Sequence, residues 1–264
     1  MLTIVQGGLY ADLSRELRLR IEARMRAGKK SLLLVPEQQT VTAESEYAEC
    51  LPPDAPLTFE VSNFTRLPNR IFREIGGLSD NYSDGTVKAL YMWRALTELS
   101  PLLSPQYGRV SEGTVEKALD ALREMRALCL DAEALSSAAS EVQSTHARLA
   151  EKLSDLAAIL ALFHKLHDEK YRDSGEDALA AAKKLPEHPE IFADTEIFID
   201  GFTSFTEEQY RVLEALLRTA SVTLTLRIPK NRDEGFEYTE PRLVRDNLHA
   251  LADRPQNFST KQYA

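Results

Sequence analysis

The 264-residue sequence has few cysteines, glycines and prolines, and it has no long apolar run. Two cysteines, Cys50 and Cys129, are too few for a disulfide framework and are not spaced as a metal motif, which favours a reducing compartment. The 11 glycines and 12 prolines exclude a collagenous or turn-rich all-β chain. No apolar run exceeds eight residues, which is far below the roughly 20 apolar residues that span a bilayer, and no basic segment typical of a signal peptide opens the chain. We therefore expect a cytoplasmic protein without a membrane segment.

The sequence also lacks the excess of basic residues that is typical of non-specific DNA-binding proteins. Asp and Glu number 41 against 32 Lys and Arg, which gives a net charge of −9. A local basic groove is still compatible with this balance. With 43% hydrophobic and 28% charged residues, the chain can bury the core of one or two domains.

Both ends of the sequence alternate short apolar runs with amphipathic segments. The predicted strands cover 2–6, 31–35, 57–61, 196–199 and 221–228, and the predicted helices cover 10–27, 40–50, 63–75, 206–217 and 241–252. Thr206 and Gln209 have the spacing of a capping box. This order predicts an α/β fold with a parallel sheet and right-handed crossovers.

The middle of the sequence has a different composition. No proline occurs between Pro105 and Pro186, and helices are predicted over 86–99, 112–130, 131–170 and 174–184. We interpret this stretch as an all-helical insertion. The predicted domains are therefore 1–83 for the first part of the α/β domain, 84–188 for the insertion, and 189–264 for the return to the α/β domain and the start of a following segment. The chain is expected to be a fragment of a longer protein.

The first strand ends at Gly7 and Gly8, where a phosphate-binding loop would lie. Such a loop needs glycine N–H groups around the phosphates, then a lysine and a Ser or Thr. Counting from Gly7, Asp12 occupies the second glycine position, Leu13 the lysine position and Ser14 the hydroxyl position. A carboxylate repels phosphate and leucine cannot pair with it, so an ordinary strand-to-helix turn is favoured over a working nucleotide site.

A second nucleotide-site signal is Asp200, which follows the apolar strand at 196–199. An Asp after a buried strand is typical of the magnesium motif of nucleotide-hydrolysing proteins. Gly201 follows it, where helicases usually carry a glutamate that activates water. An Asp that caps a turn is the alternative interpretation.

Polar and aromatic residues follow the second and third strands. Gln38 and Thr40 come after the second strand, and Phe64 and Arg66 come after the third. In open α/β sheets, ligands bind at the carboxyl ends of the strands. Amides, hydroxyls, an arginine and an aromatic ring suit a single nucleic-acid strand, with donors to phosphate and a ring for base stacking. The alternatives are helix capping for Gln38 and Thr40 and core packing for Phe64.

Two histidines, His164 and His167, lie three residues apart on a predicted helix. This spacing can ligate a metal, but the sequence shows no second pair of ligands. A solvated helix face is therefore favoured, and no metal site is predicted.

The motifs together resemble the amino-terminal part of the AddB (RexB) family, the B subunit of the ATP-dependent helicase–nuclease that processes double-strand DNA breaks. The resemblance rests on Leu-Leu-Val-Pro-Glu-Gln-x-Thr at 33–40, Val-Ser-x-Phe-x-Arg-Leu at 61–67, Glu-Ile-Gly-Gly at 74–77 and Ile-Asp-Gly-Phe-x-x-Phe-Thr at 199–206. It covers roughly 1–80 and 190–228, and the helical middle agrees in type only.

The resemblance implies an inactivated helicase module, with a RecA-like sheet similar to superfamily 1 helicases and an inserted helical subdomain. It implies DNA contact in hotspot scanning through Gln38, Thr40, Phe64 and Arg66, and it adds Phe202 and Phe205 as candidate DNA-contacting rings. Gly7, Gly8, Ser14 and Asp200 become a degenerate nucleotide site without catalytic residues. In the family, an AddA-type subunit supplies the ATP-driven motor, and an iron–sulfur cluster lies in a carboxyl-terminal nuclease. These 264 residues contain no such four-cysteine set, so no cofactor is expected here.

Two other functions compete with this hypothesis. One is a P-loop ATPase or kinase with a divergent phosphate loop, and the other is a purely structural interaction domain. Stabilisation by ATP would favour the first alternative. Single-strand binding that depends on Phe64 and Arg66 would exclude the second.

Overall fold

A six-stranded parallel sheet organises one part of the structure, a computed structural model that describes residues 1–8, 10–51, 58–77, 81–228 and 238–252 and the backbone of 258–262. These residues form two units. The sheet unit comprises 1–78 and 178–264, and the helical unit comprises 79–177. Among the described residues, no helix is both long and apolar enough to cross a membrane.

The sheet has the strand order β3-β2-β4-β5-β1-β6. All five neighbouring pairs are parallel. The strands are β1 (Leu2–Gly7), β2 (Lys30–Leu34), β3 (Phe59–Ser62), β4 (Thr195–Ile199), β5 (Ser221–Arg227) and β6 (Phe258–Gln262). Residues of β1, β2, β4 and β5 are buried almost throughout, as expected for a parallel sheet covered on both faces. The predicted α/β fold is confirmed.

Helices cover both faces of the sheet. They are α1 (Leu13–Arg26), α2 (Thr40–Cys50), α3 (Leu67–Ile75), α9 (Glu207–Thr219) and α10 (Thr239–Ala252). The apolar residues of α1 and α2 pack with Val5, Leu33 and Phe198 on one face. Those of α3, α9 and α10 pack with the alternate strand residues on the other face. The predicted capping box of α9 is confirmed, because Thr206 and Gln209 exchange side-chain to backbone hydrogen bonds.

The helical unit contains α4 (Gly85–Leu99), α5 (Glu112–Ala127), α6 (Ala132–Val142) and α7 (Ala147–His167). Its separate core includes Met92, Leu122, Leu135 and Phe163. The prediction of one helix over 131–170 is wrong. The helix is interrupted by a turn at 143–146. This turn allows the apolar faces of α6 and α7 to pack in one core.

The boundaries of the units differ from the predicted domain limits at 84 and 188. Helix α8 (Asp177–Lys184) begins at the junction, and the residues from Ala178 onward belong to the sheet unit. Ala181 and Leu185 pack in the same core as α3 and α9, which explains the shift. Leu57, in the predicted third strand, lies outside the described residues. β6 was not predicted because its sequence, Phe-Ser-Thr-Lys-Gln, has little apolar patterning.

Candidate functional site

The carboxyl edge of the sheet carries the candidate site residues. The chain leaves β2 toward α2 on one face and leaves the neighbouring β4 toward α9 on the other. Loops that diverge in this way open a crevice between adjacent strand ends, where ligands bind in open α/β sheets. The ends of β2 and β4, beside Gln38 and Asp200, diverge in this way.

The loops that follow β2 and β4 approach each other closely. Gly201 has a φ of +80°, which disfavours any residue with a side chain. A Cβ atom at this position would also lie 2.6 Å from Gln39 Oε1 and 3.2 Å from Pro36 Cδ. The positive φ and the close approach of the loop after β2 therefore favour glycine at position 201. This is a structural reason why the glutamate that helicases usually carry after the aspartate is absent here.

After β1, the helix α1 is capped by a carboxylate of the chain itself. Asp12 is the N-cap of α1, and its Oδ1 accepts a hydrogen bond from the Arg15 N–H at 2.9 Å. This carboxylate lies at the helix amino terminus, where a phosphate would otherwise accept N–H donors. Leu13, the first residue of α1, is 2% exposed and packs in the core between this helix and the sheet, so its side chain does not face solvent. Ser14 is half-buried in the first turn.

Asp200 directly follows β4 and contacts the neighbouring β5. Its Oδ1 accepts hydrogen bonds from the Thr225 hydroxyl of β5 and from the Gly201 N–H.

Tyr47 of α2 lies near Asp200, in the core between α1, α2 and the sheet. Burial, followed by the charge of Asp200, raises the pKa of Tyr47. Its buried hydroxyl has no hydrogen-bond partner among the described residues. Sequence reasoning missed Tyr47, because an aromatic residue in an amphipathic helix is usually core.

Thr40 and Asn63 join the ends of β2 and β3. The buried Asn63 donates from Nδ2 to Thr40 Oγ1 at 3.1 Å and accepts from the Arg66 N–H at 2.8 Å. Thr40 is 2% exposed, and its hydroxyl accepts the hydrogen bond from Asn63 instead of capping α2, whose N-cap residue makes no side-chain hydrogen bond. Gln38 is exposed at the same edge. Asn63 therefore orients the loop that carries Arg66, a role indicated in the sequence only by its capping propensity.

Phe64 is the centre of an aromatic cluster. Only 8% of Phe64 is exposed. The centroid of its ring lies 5.4 Å from that of Phe202 and 6.0 Å from that of Phe205, and both contacts are edge-to-face. Phe202 and Phe205 stack on each other at 5.0 Å, and both are half-buried. The burial of Phe64 favours core packing over the predicted base stacking. The two partly exposed rings, Phe202 and Phe205, are the ones open to a ligand.

Arg66 is exposed beside this cluster. Its side chain is 59% accessible and lies 3.4 Å from Glu44 Oε1. An exposed pair of this kind is weak, so the guanidinium remains available to an incoming anion. The structure thus brings Gln38, Arg66, Phe202 and Phe205 to one edge of the sheet unit.

The two histidines of α7 differ strongly in environment. His167 is fully buried and stacks on Phe163 at 5.0 Å. His164 is partly exposed, and its hydrogen bond with Asp168 raises its pKa. The solvated helix face predicted for the pair therefore describes His164 but not His167.

The fold and its edge define a class of protein: a parallel α/β domain that carries a helical unit between its third and fourth strands and lacks the lysine of a phosphate loop. The chain belongs to the AddB amino-terminal domain family, since the family model "ADDB, N-terminal" matches residues 7–257.

Curated relatives agree with this assignment. The chain is 35% identical over 76% of its length to the B subunit of the ATP-dependent helicase/deoxyribonuclease of Thermoanaerobacter sp. (strain X514), and the match covers 18% of that protein. It is 32% identical over 78% of its length to the protein of the same name from Acetivibrio thermocellus, again covering 18% of that protein. For Clostridium acetobutylicum the identity is 26% over 92% of this chain and 22% of the relative. The chain thus spans about a fifth of the length of these relatives.

Proposed function

We propose that this chain is a DNA-contacting and scaffolding module of a helicase–nuclease complex, within its B subunit, and that it acts without hydrolysing ATP. The observation that carries the proposal is the grouping of Gln38, Arg66, Phe202 and Phe205 at one carboxyl edge, beside a phosphate loop whose helix end is capped by Asp12. The relatives are named as the B subunit of an ATP-dependent helicase/deoxyribonuclease. That name supports a complex with an AddA-type motor protein and a role in recombinational DNA repair.

The chemistry of the edge suits a single DNA strand. Arg66 can pair with a backbone phosphate, and the half-exposed rings of Phe202 and Phe205 can stack with bases. Gln38 supplies an amide that donates and accepts hydrogen bonds. Thr40 and Phe64 support this surface from the buried side, through Asn63 and through the aromatic cluster. The partial burial of the rings favours contact with a strand that lies along the edge.

The net charge of −9 limits the affinity that we expect. Only the local surface attracts the DNA backbone, so binding is expected to be salt-sensitive and to have a Kd of about 1–100 µM, in the range of non-specific complexes. Arg66→Gln should weaken binding and reduce the salt slope by about one. Phe202→Ala should weaken it several-fold or more, since stacking contributes about 1–3 kcal/mol per base. Fluorescence anisotropy with a labelled single-stranded oligonucleotide at two salt concentrations measures both effects.

Arg94 provides a matched control. Its side chain is 58% accessible and pairs with Glu98, much as Arg66 pairs with Glu44, but it lies on α4 of the helical unit. Arg94→Gln should leave the affinity unchanged. If Arg66→Gln and Phe202→Ala both bind like the parent, or if the parent does not bind at low salt, the proposal of DNA contact is wrong and the scaffold function alone remains.

We also expect no ATP turnover by this chain. The loop lysine is replaced by the buried Leu13, and Asp12 places a negative charge where a phosphate would bind. The lysine and the magnesium ligands supply most of the charge stabilisation in phosphoryl transfer. A steady-state ATPase assay with and without single-stranded DNA tests this. Turnover above background that Asp200→Ala abolishes would show a working nucleotide site and favour the P-loop enzyme.

A further inference from the structure

The last turn of α7 and the segment after it bring three metal-binding side chains together in the helical unit. His164 Nδ1 lies 3.0 Å from Asp168 Oδ2 and 3.8 Å from Glu176 Oε1. One ligand atom from each side chain lies within 4.8 Å of the other two. We propose that His164, Asp168 and Glu176 bind a divalent cation of the zinc type.

The spacing of the ligand atoms fits such an ion. Zinc binds imidazole nitrogen and carboxylate oxygen at about 2.0–2.2 Å, so neighbouring ligands of a tetrahedral site lie about 3.4 Å apart. The observed 3.0 Å and 3.8 Å bracket this value, and small side-chain rotations would equalise them. Mg²⁺ and Ca²⁺ prefer all-oxygen ligands, so the imidazole favours zinc. Three protein ligands leave a fourth position for water.

Local structure explains why these side chains converge. His164 and Asp168 are separated by one helical turn and therefore project from the same face. Asp168 is the C-cap residue of α7, and a cation at this end of the helix is favoured by the helix dipole. Glu176 ends a short 3₁₀ turn, Ser174–Glu176, which Asp173 stabilises by accepting the Gly175 N–H at 2.8 Å.

The cluster opens to solvent on one side. Asp168 and Glu176 line a polar cavity of about 600 Å³ together with Glu169 and two basic residues, Lys170 and Arg172, the second of which pairs with Asp177 at 2.7 Å. The three candidate ligands have side chains that are between 32% and 45% accessible. An ion can therefore enter without unfolding the helical unit, and water can complete its coordination.

The neighbours of the cluster hold its ligands in place. His167, one residue before Asp168, places its Nδ1 2.8 Å from the second oxygen, Oδ1, so the Asp168 carboxylate is oriented from both sides. This arrangement resembles the outer-shell hydrogen bonds of metal ligands. Arg126 lies 3.6 Å from Glu176 but donates to Asp173 at 2.6 Å. The hydrogen bond of Arg126 therefore goes to Asp173, and Arg126 does not hold the Glu176 carboxylate by a hydrogen bond.

Isothermal titration of the chain with Zn²⁺ tests the proposal. At about pH 8, where an ordinary imidazole is neutral, we expect one equivalent to bind. His164→Gln and Glu176→Gln should each weaken binding by about tenfold or more. His188 and Glu190 form an exposed pair at 3.1 Å in the sheet unit, so His188→Gln controls for binding to an isolated surface pair and should have no effect.

A second readout identifies the ligands. Co²⁺ bound to the chain should give visible absorption bands that shift in His164→Gln and persist in His188→Gln. Circular dichroism of each variant verifies that it is folded, and Glu176→Gln keeps the size of the side chain. The absence of Zn²⁺ binding by the parent, or equal binding by the parent and both ligand variants, would overturn the proposal. The outcome is independent of DNA binding, which concerns the sheet unit.

Discussion

Asp173→Asn is expected to destabilise the helical unit by about 3 kcal/mol or more. Asp173 is 2% exposed, and its two oxygens accept hydrogen bonds from Lys88 of α4 and Arg126 of α5, each at 2.6 Å. Removing the charge leaves two cations that are only 24% and 15% accessible without their main partner. Breaking a buried ion pair in this way typically costs about 3–5 kcal/mol. Hydrogen exchange of the amides of α4 and α5 measures the loss within this unit.

The exposed pair of Arg94 and Glu98 on α4 is the control for this variant. Its side chains are 58% and 45% accessible, so Glu98→Gln should change the stability by about 0–1 kcal/mol. If Asp173→Asn exchanges no faster than Glu98→Gln, the Asp173 network does not stabilise the unit.

The same network gives the helical unit a defined acid sensitivity. Burial raises the pKa of Asp173, but the hydrogen bonds from Lys88 and the Gly175 N–H and the charge of Arg126 outweigh burial and lower that pKa below its ordinary value. The stabilisation is therefore fully present above the unfolded-state pKa of about 3.9, and it is lost as the pH falls through the lower folded-state pKa. The Asn variant should show a smaller loss of stability over this acidic range.

Phe64→Ala is expected to lower the stability of the sheet unit by about 3–5 kcal/mol. Its buried ring contacts both Phe202 and Phe205 and packs in the core with Leu67 and Ile199. Alanine leaves a cavity among side chains that belong to β4 and α3 and to the loop after β4. Urea unfolding, followed by circular dichroism, measures the effect.

Phe64→Leu separates packing from DNA contact. Leucine fills most of the cavity, so it should recover most of the stability and, if the ring only supports the edge, also the DNA affinity. A Phe64→Leu variant that is stable but does not bind single-stranded DNA would instead show that the ring itself contacts a base. A Phe64→Ala variant as stable as the parent would contradict the packing argument.

Much of the sheet unit could be predicted because its signals are local. The apolar runs of β1, β2 and β4 are bounded by Gly7, Pro36 and Asp200, and the capping box of α9 lies within four residues. Parallel strands with short helical crossovers allow few arrangements, so the order of the elements predicts the α/β fold.

The site depended on contacts between residues far apart in the sequence. Phe64 and Phe202 are distant along the chain, and whether either ring is buried depends on how β3 and β4 are placed about β2. Asp173 accepts hydrogen bonds from Lys88 and Arg126, which lie on two different helices. The partners of His164 were missed because one of them, Glu176, lies in a short 3₁₀ turn that α-helical periodicity does not describe.

The capped loop after β1 has a consequence for how this domain behaves in a cell. Asp12 caps the amino terminus of α1 from within the chain, so a donor at this helix end has a partner without a nucleotide. The shape of the loop should then be the same whether ATP, ADP or neither is abundant. A motor domain changes shape because its loop alternates between occupied and empty, whereas a loop capped by its own aspartate is expected to keep one shape. On the function proposed above, the sheet unit would then act as a fixed surface along which the DNA strand moves.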